Sequence, residues 1–274
     1  MQNIEVVCNM NLVRSPFLAT FLQMHFPDVS FESSGVNANS KFSYDGKTQR
    51  IGRQWGFDYP LRQSKASTKN DAHKVFLPTD HLTRNWLLSN VQSNQVLSYV
   101  EYVEQNPINT PIDPIGFDES RLKFELSKLL CFGVNQLKFL SDDLPKNAIT
   151  TIIPNGRKEY CLLIDDVLDG VYGDFSFIVD SCLKDSKSEY LSERGCVIKP
   201  HFSSADLGTT FSSPYEVVQS EKVLCSVEWR NWLVSLSDHG KVVILAPPLS
   251  ESLGSYICDS FLASIWATRI IHAQ

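Results

Sequence analysis

Ile4-Glu5-Val6-Val7-Cys8-Asn9-Met10-Asn11-Leu12-Val13-Arg14-Ser15-Pro16 is the stretch on which the reading of the whole chain turns. Its apolar run, Ile4 to Val7, predicts a buried strand. Ser15 and Pro16 predict a helix through Phe17, Leu18, Phe21 and Leu22, with Ser as the cap and Pro in the first turn. Cys8 and Arg14 then bracket a tight strand-to-helix loop. Such a loop gathers backbone N–H groups around one point, and the helix dipole adds positive potential there. It suits an anion, most naturally phosphate. A cysteine in such a field favours thiolate, the form that attacks, and an arginine offers a planar fork to two oxygens of a tetrahedral oxyanion. The chemistry that follows is attack on phosphorus by Cys8. Arg14 and the loop residues Asn9, Met10, Asn11, Leu12 and Val13 would hold the phosphoryl group.

A bare Cys-x5-Arg spacing arises by chance in a chain with seven cysteines. The strand before it and the Ser-Pro after it supply the context. Together they resemble the phosphate-binding loop of the low-molecular-weight protein tyrosine phosphatases, a strand followed by Cys-x5-Arg-Ser-Pro near the N-terminus. The resemblance implies Cys8 as nucleophile, Arg14 as the phosphate-binding arginine, Asn11 as the residue that shapes the loop, and Ser15 as the hydroxyl that stabilises the thiolate. Two positions depart from the family. It usually has Gly where Met10 stands, and many members have a second cysteine where Val13 stands.

Downstream, Val29 to Gly35 alternates like a second strand ending in a turn, similar to the family's Ser-Ala-Gly strand end. Residues 44 to 56 carry Ile51 and Trp55 at helical spacing and stop at Gly56. His73 to Leu77 predicts a third strand, Leu82 to Leu88 a helix, and residues 96 to 103 a fourth strand. Strands alternating with helices imply a parallel sheet covered on both faces, with its ligand beyond the carboxyl ends of the strands. Asp113-Pro114 precedes a long amphipathic helix, about residues 118 to 140, with Leu122, Leu126, Leu129, Leu130, Val134 and Leu137 on one face. In the phosphatase family an Asp-Pro on this loop is the catalytic acid, so the resemblance implies Asp113 as proton donor. A tyrosine leaving group, with a pKa near 10, needs one. Taken by itself, the dipeptide also fits a plain turn. Ile115 and Gly116 stand where the family commonly has aromatic residues.

The chain has 274 residues, 43% hydrophobic and 20% charged, enough for two domains with real cores. A polar, Pro-containing break at residues 141 to 147 sets the expected division into 1–142, phosphatase-like, and 145–274, of regulatory or interaction role. The expected fold is α/β: an N-terminal four-stranded parallel sheet with helices on both faces, then a C-terminal α+β domain. In the second half, residues 150 to 153 predict a strand, 223 to 227 another, 229 to 236 a helix, 241 to 245 a strand, and 253 to 271 a closing helix. The stretch from Trp232 to Leu249 is similar to the tail end of WYL-type regulatory domains, a pointer to a sensing or interaction module. Asp165, Asp166 and Asp169 spell DDxxD, without the second acidic segment of a magnesium-diphosphate site, and read as a solvated helix face or turn. His201, Ser203 and Asp206 fall in a Ser/Gly-rich loop without a nucleophile elbow.

Net charge is −6, so nothing suggests nucleic-acid binding by bulk electrostatics. Seven scattered cysteines with no CxxC point to a reducing cytoplasm, no disulfide framework and no metal site. Met1-Gln2-Asn3 lacks the basic run of a secretory leader, and no stretch approaches a membrane span. No cofactor is expected. The expected substrate is a phosphotyrosine-bearing protein or a small aryl phosphate, with inorganic phosphate as product. Two alternatives stand. One is a phosphatase-like binding or regulatory module of weak turnover, in line with Met10 and the missing aromatics. The other is an arsenate reductase of the thioredoxin-coupled type. That chemistry requires further cysteines after the third strand, whereas none lies between Cys8 and Cys131.

Overall fold

A computed structural model describes residues 3–59, 63–67, 74–97, 112–137, 148–154, 177–180, 197–198, 221–246 and 258–273. The chain folds as two compact units, Met1–Leu140 and Ser141–Gln274. Among the described residues, no helix is long and apolar enough to cross a membrane.

In the first unit, β1 (Asn3–Cys8) lies between β2 (Ser30–Gly35) and β3 (Lys74–Pro78), all parallel. A central parallel strand is covered on both faces, so β1 is buried from Ile4 to Cys8 without alternation. The register sets Cys8 beside Gly35 and Val7 beside Pro78, so all three strands end together under the loop. The fourth strand expected over 96–103 begins as a single parallel bridge, Val96 to Phe76, after a 3-10 turn at Ser93–Gln95. The Leu97 N–H reaches the Phe76 carbonyl at 2.9 Å. Residues 98–103 lie outside the described residues, and the described sheet has three strands.

Helix α1 (Arg14–His25) packs across the sheet with Phe17, Leu18, Phe21 and Leu22 fully buried. The expected Ser15 cap is not what opens it: Val13 occupies the cap position with no side-chain bond, and the Ser15 hydroxyl is used elsewhere. Helix α2 (Gly46–Gln54) is capped by Asp45, α3 (His81–Leu88) by Asp80, and α4 (Glu119–Gln136) by Asp118; each carboxylate accepts the N–H three residues on. Phe17 meets Trp55 edge-on at 5.5 Å and Phe57 at 5.1 Å, an aromatic cluster behind the loop. At Gly133 the α4 backbone comes so near Leu18 that a Cβ would lie 2.3 Å from a Leu18 methyl carbon.

The second unit differs from expectation. Strands β4 (Ile149–Pro154), β5 (Phe177–Asp180), β6 (Val197–Ile198), β7 (Val242–Leu245) and β8 (Arg269–Ala273) form one sheet in the order β6-β5-β7-β4-β8. Every described pairing is parallel. Among the described residues that is α/β architecture rather than α+β, since parallel neighbours need crossovers and helices lie between β6 and β7 and between β7 and β8. The strand expected over 223–227 is instead α5 (Glu221–Leu224), after which Ser226 caps α6 (Val227–His239). A short apolar run fits either element by its pattern alone, and here it belongs to a helical turn that ends just before the Ser226 cap of α6. The single closing helix expected over 253–271 is a short α7 (Cys258–Leu262) and then β8. Thr268 binds the Ile149 backbone through both its N–H and its hydroxyl, and this draws Ile270 and Ile271 onto β4. The residues of DDxxD, and His201, Ser203 and Asp206, lie outside the described residues.

Candidate active site

The loop between β1 and α1 is bound from four sides. Val36 N–H donates to the Cys8 carbonyl at 3.0 Å, and Asn37 N–H to the Asn9 carbonyl at 2.8 Å. The side chains of Asn37 and Asn9 also meet, at 2.8 Å. Ser64 Oγ donates to the Met10 carbonyl at 2.7 Å, and Asp45 N–H to the Leu12 carbonyl at 3.0 Å. The Asn11 carboxamide donates to the Lys65 carbonyl at 3.4 Å. Among the described residues Asn11 alone, glycines aside, has a left-handed backbone, φ 52°. Asparagine tolerates that geometry better than other side-chain-bearing residues. Met10 has no positive φ and needs no glycine-like freedom.

Cys8 sits at the floor of this loop, 4% exposed. Its sulfur accepts the Asn11 N–H at 3.2 Å and lies 3.0 Å from Ser15 Oγ. Ser15 Oγ is also 2.9 Å from Asn11 Oδ1 and 3.0 Å from the Ser34 carbonyl. The hydroxyl has one proton and three neighbours able to accept it. Beside a thiol it accepts S–H and donates to Asn11 or Ser34; beside a thiolate it donates to sulfur. Ser15 thus satisfies Cys8 both as thiol and as thiolate.

Arg14 opens α1 at the mouth of the loop, 7% exposed. Its Nη2 pairs with Asp80 Oδ2 at 3.0 Å and lies 3.5 Å from Asp113 Oδ2. Asp80 comes from the end of β3, where Thr79 binds the Val7 carbonyl and fixes the chain beside β1. Asp113 is half-exposed, and its Oδ1 accepts the Ile115 N–H at 3.3 Å. Cys8, Arg14, Asp113 and Ile115 line a cleft of only about 10 Å³. Beside it lies a hollow of about 140 Å³ between Leu12, Lys47, Ile115 and Phe117.

Beneath the site runs an ionic chain, buried at Glu5 and Lys74 and exposed at Glu32 and Lys65. Lys74 Nζ pairs with Glu5 at 3.0 Å and Glu32 at 2.9 Å, and Lys65 with Glu32 at 3.0 Å. The hydroxyls of Ser34 and Ser67 also bond Glu5. Bonds from Lys74 and then Lys65 hold the Glu32 carboxyl below its usual range. Burial works against the Lys74 charge, but its bonds to Glu32 and Glu5 outweigh that and raise it. Burial pushes the Cys131 thiol, on α4, far up, as expected of an inert core residue. Among the described residues, no group of His, Cys, Asp and Glu is arranged to hold a metal ion.

All the sequence-predicted residues, Cys8 to Ser15 and Asp113, therefore converge. Sequence reasoning missed Asp80, Ser34, Ser64 and Lys65. Only Asp80 carried a signal: an acidic residue three places beyond the apolar strand run that ends at Leu77, in line with a helix start.

No protein-family model matches the sequence, and no curated protein matches it. Among solved structures, the N-terminal half matches low-molecular-weight tyrosine phosphatases. The tyrosine phosphatase AmsI of Erwinia amylovora is 17% identical, covering 51% of this chain and 93% of its own, at a TM-score of 0.45. The tyrosine phosphatase Wzb of Escherichia coli K30, in complex with sulphate, is 15% identical over 51% of this chain and 99% of its own, also at 0.45. The low-molecular-weight tyrosine phosphatase of T. tengcongensis is 18% identical over 50% and 97%, at 0.44.

Proposed function

We propose that the first unit is a cysteine-dependent phosphatase that hydrolyses phosphate monoesters of tyrosine, on proteins or as small aryl phosphates. The observation that carries the reading is the convergence of Cys8, Arg14 and Asp113 on one cleft, with the sulfur already accepting the Asn11 N–H. The phosphate dianion enters by taking the place of Asp113 against Arg14. Cys8 sulfur attacks phosphorus, and an S–P bond forms as the bond to the aryl oxygen breaks. Arg14 and the loop amides hold the three other oxygens, and Asp113 gives its proton to the departing phenolate. Water, deprotonated by Asp113, then cleaves the phosphocysteine and releases inorganic phosphate. The aryl ring lies in the hollow between Leu12 and Ile115, which Phe117 also lines. Asp80 touches no reacting atom and orients Arg14.

We read residues 145–274 as a domain of regulatory or interaction role; the division between Leu140 and Ser141 supports its being separate from the first unit. The scattered cysteines support a cytoplasmic setting. A buried Cys131 as the next cysteine supports phosphatase over arsenate reductase chemistry.

The test is a pair of variants on two substrates. Asp113→Asn should lose roughly 10²–10⁴-fold on phosphotyrosine and much less on an aryl phosphate whose phenol leaves readily. Cys8→Ser should abolish turnover of both. Parent-rate turnover of phosphotyrosine by Asp113→Asn would remove Asp113 from the mechanism, and turnover by Cys8→Ser would remove the phosphocysteine.

A further inference from the structure

We infer that Glu125, held by Lys128, positions Asp113 for proton transfer; the inference rests on the phosphatase reading above. Asp113 is half-exposed, and its two side-chain contacts, to Ile115 N–H and Arg14, are 3.3 and 3.5 Å long. Contacts that long do not fix a carboxylate closely. The backbone on either side must supply the stiffness. On the far side, Lys47 Nζ donates to the Phe117 carbonyl at 3.2 Å, and Arg121 covers the Phe117 ring at 4.4 Å. On the near side the tether among the described residues is one bond, Ile112 N–H to Glu125 Oε2 at 3.0 Å. The Ile112 side chain is 45% exposed, so packing does not anchor that residue.

Glu125 and Lys128 lie one turn apart on α4, 4% and 6% exposed among Leu122, Leu126 and Leu129. Lys128 Nζ is 3.1 Å from the same Oε2 that receives the Ile112 N–H. A buried ion pair rarely stabilises a fold more than apolar residues of equal volume. What this carboxylate does that leucine cannot is accept the N–H of the residue just before Asp113. Glu125 is thus a positioning residue, and Lys128 keeps its charge satisfied where water does not reach.

The experiment compares two double variants of the full chain, Glu125→Met/Lys128→Met and Glu125→Gln/Lys128→Met. Both discharge the pair; only the second keeps a carbonyl to accept the Ile112 N–H. The readout is kcat/KM across aryl phosphates from nitrophenyl to plain phenyl, beside Asp113→Asn. The Met/Met variant should lose about ten-fold or more on phenyl phosphate and about two-fold or less on nitrophenyl phosphate, and Gln/Met should regain most of that. A parent-like profile in Met/Met, or an equal loss on every substrate, overturns the inference. If Met/Met does not fold, Ile112→Pro removes the same bond from its exposed donor side; a selective loss there supports the inference and a parent-like profile overturns it. If Asp113→Asn is itself not selective, the acid role falls and the positioning role with it. If Asp113→Asn is selective and the other variants are not, only the role of Glu125 falls.

Discussion

Gly35→Ala is the perturbation with the most direct consequence for the loop. Gly35 lies beside Cys8 at the end of β2. A Cβ there would stand 2.7 Å from Asn11 N, 2.7 Å from the Asn9 carbonyl oxygen and 2.8 Å from Met10 C. All three are backbone atoms, so no side-chain rotation relieves them. Ordinary contact begins near 3.4 Å, so strand or loop must give by about 0.7 Å. The strand is pinned on both sides: by its ladder to β1, and by Gly35 N–H to the Lys65 carbonyl at 2.9 Å with Ser67 N–H back to the Gly35 carbonyl at 3.1 Å. The loop therefore moves, carrying the amides that would hold phosphate. Overpacking of this kind costs about 1–3 kcal/mol, and misplacement on the order of 1 Å costs up to about 10²-fold in rate. Gly35→Ala should lose about 10–100-fold in kcat/KM on an aryl phosphate, and inorganic phosphate should no longer protect Cys8 from iodoacetate. Gly46→Ala is the control, since nothing lies within 4 Å of its Cβ at the start of α2. It should keep full activity and gain about 0.4–1 kcal/mol. A Gly35→Ala enzyme with parent turnover and parent phosphate protection would refute this account of the loop.

Lys74→Met strands the buried Glu5 carboxylate and should cost about 3–5 kcal/mol in denaturant unfolding, more than a surface lysine ever does; a loss under about 1 kcal/mol would place the charges in water. Glu32 is held below its usual value of 4.5, so its pairing stabilises the fold fully above that pH and is lost as pH falls through the depressed value. The Tm gap between parent and Glu32→Gln should accordingly be steady from neutrality to about pH 4.5 and close below it, and a gap independent of pH would show the pairing absent in solution. Mild peroxide should inactivate the enzyme without joining Cys8 to Cys131, which is fully buried on α4, and peptide mapping that finds that disulfide would refute the claim.

The loop was legible because its chemistry is contiguous. Strand, cysteine, arginine and Ser-Pro follow one another, and no distant residue is needed to read them. The residues that hold the loop come from segments around positions 34, 45, 64 and 80, and nothing local marks Ser34 or Ser64 as partners of a loop many positions away. The cap reading of Ser15 failed for a related reason: a serine before a helix fits a cap, whereas its place 3.0 Å from the Cys8 sulfur was legible only through the family resemblance. In the second unit the errors lie where pairing overrides local pattern. Ile270 and Ile271 follow a helical stretch and suit one, but β4 lies alongside and the pair joins the edge strand β8 of the described sheet.

The position where this loop departs most from the phosphatases it resembles is Met10, in place of the usual glycine. A glycine has two distinct uses in a tight anion-binding loop: a positive φ, or room for a neighbouring backbone. In this chain neither falls on position 10. The positive φ is at Asn11, whose carboxamide also bonds Ser15 and Lys65. The close approach is at Gly35, on the neighbouring strand. Met10 contributes its carbonyl to Ser64 and keeps a φ open to any side chain. The substitution at position 10 therefore leaves the cradle intact. On the proposed reading, any weakness in turnover has to be sought at Ile115 and Gly116, which stand where the family commonly has aromatic residues, rather than at Met10.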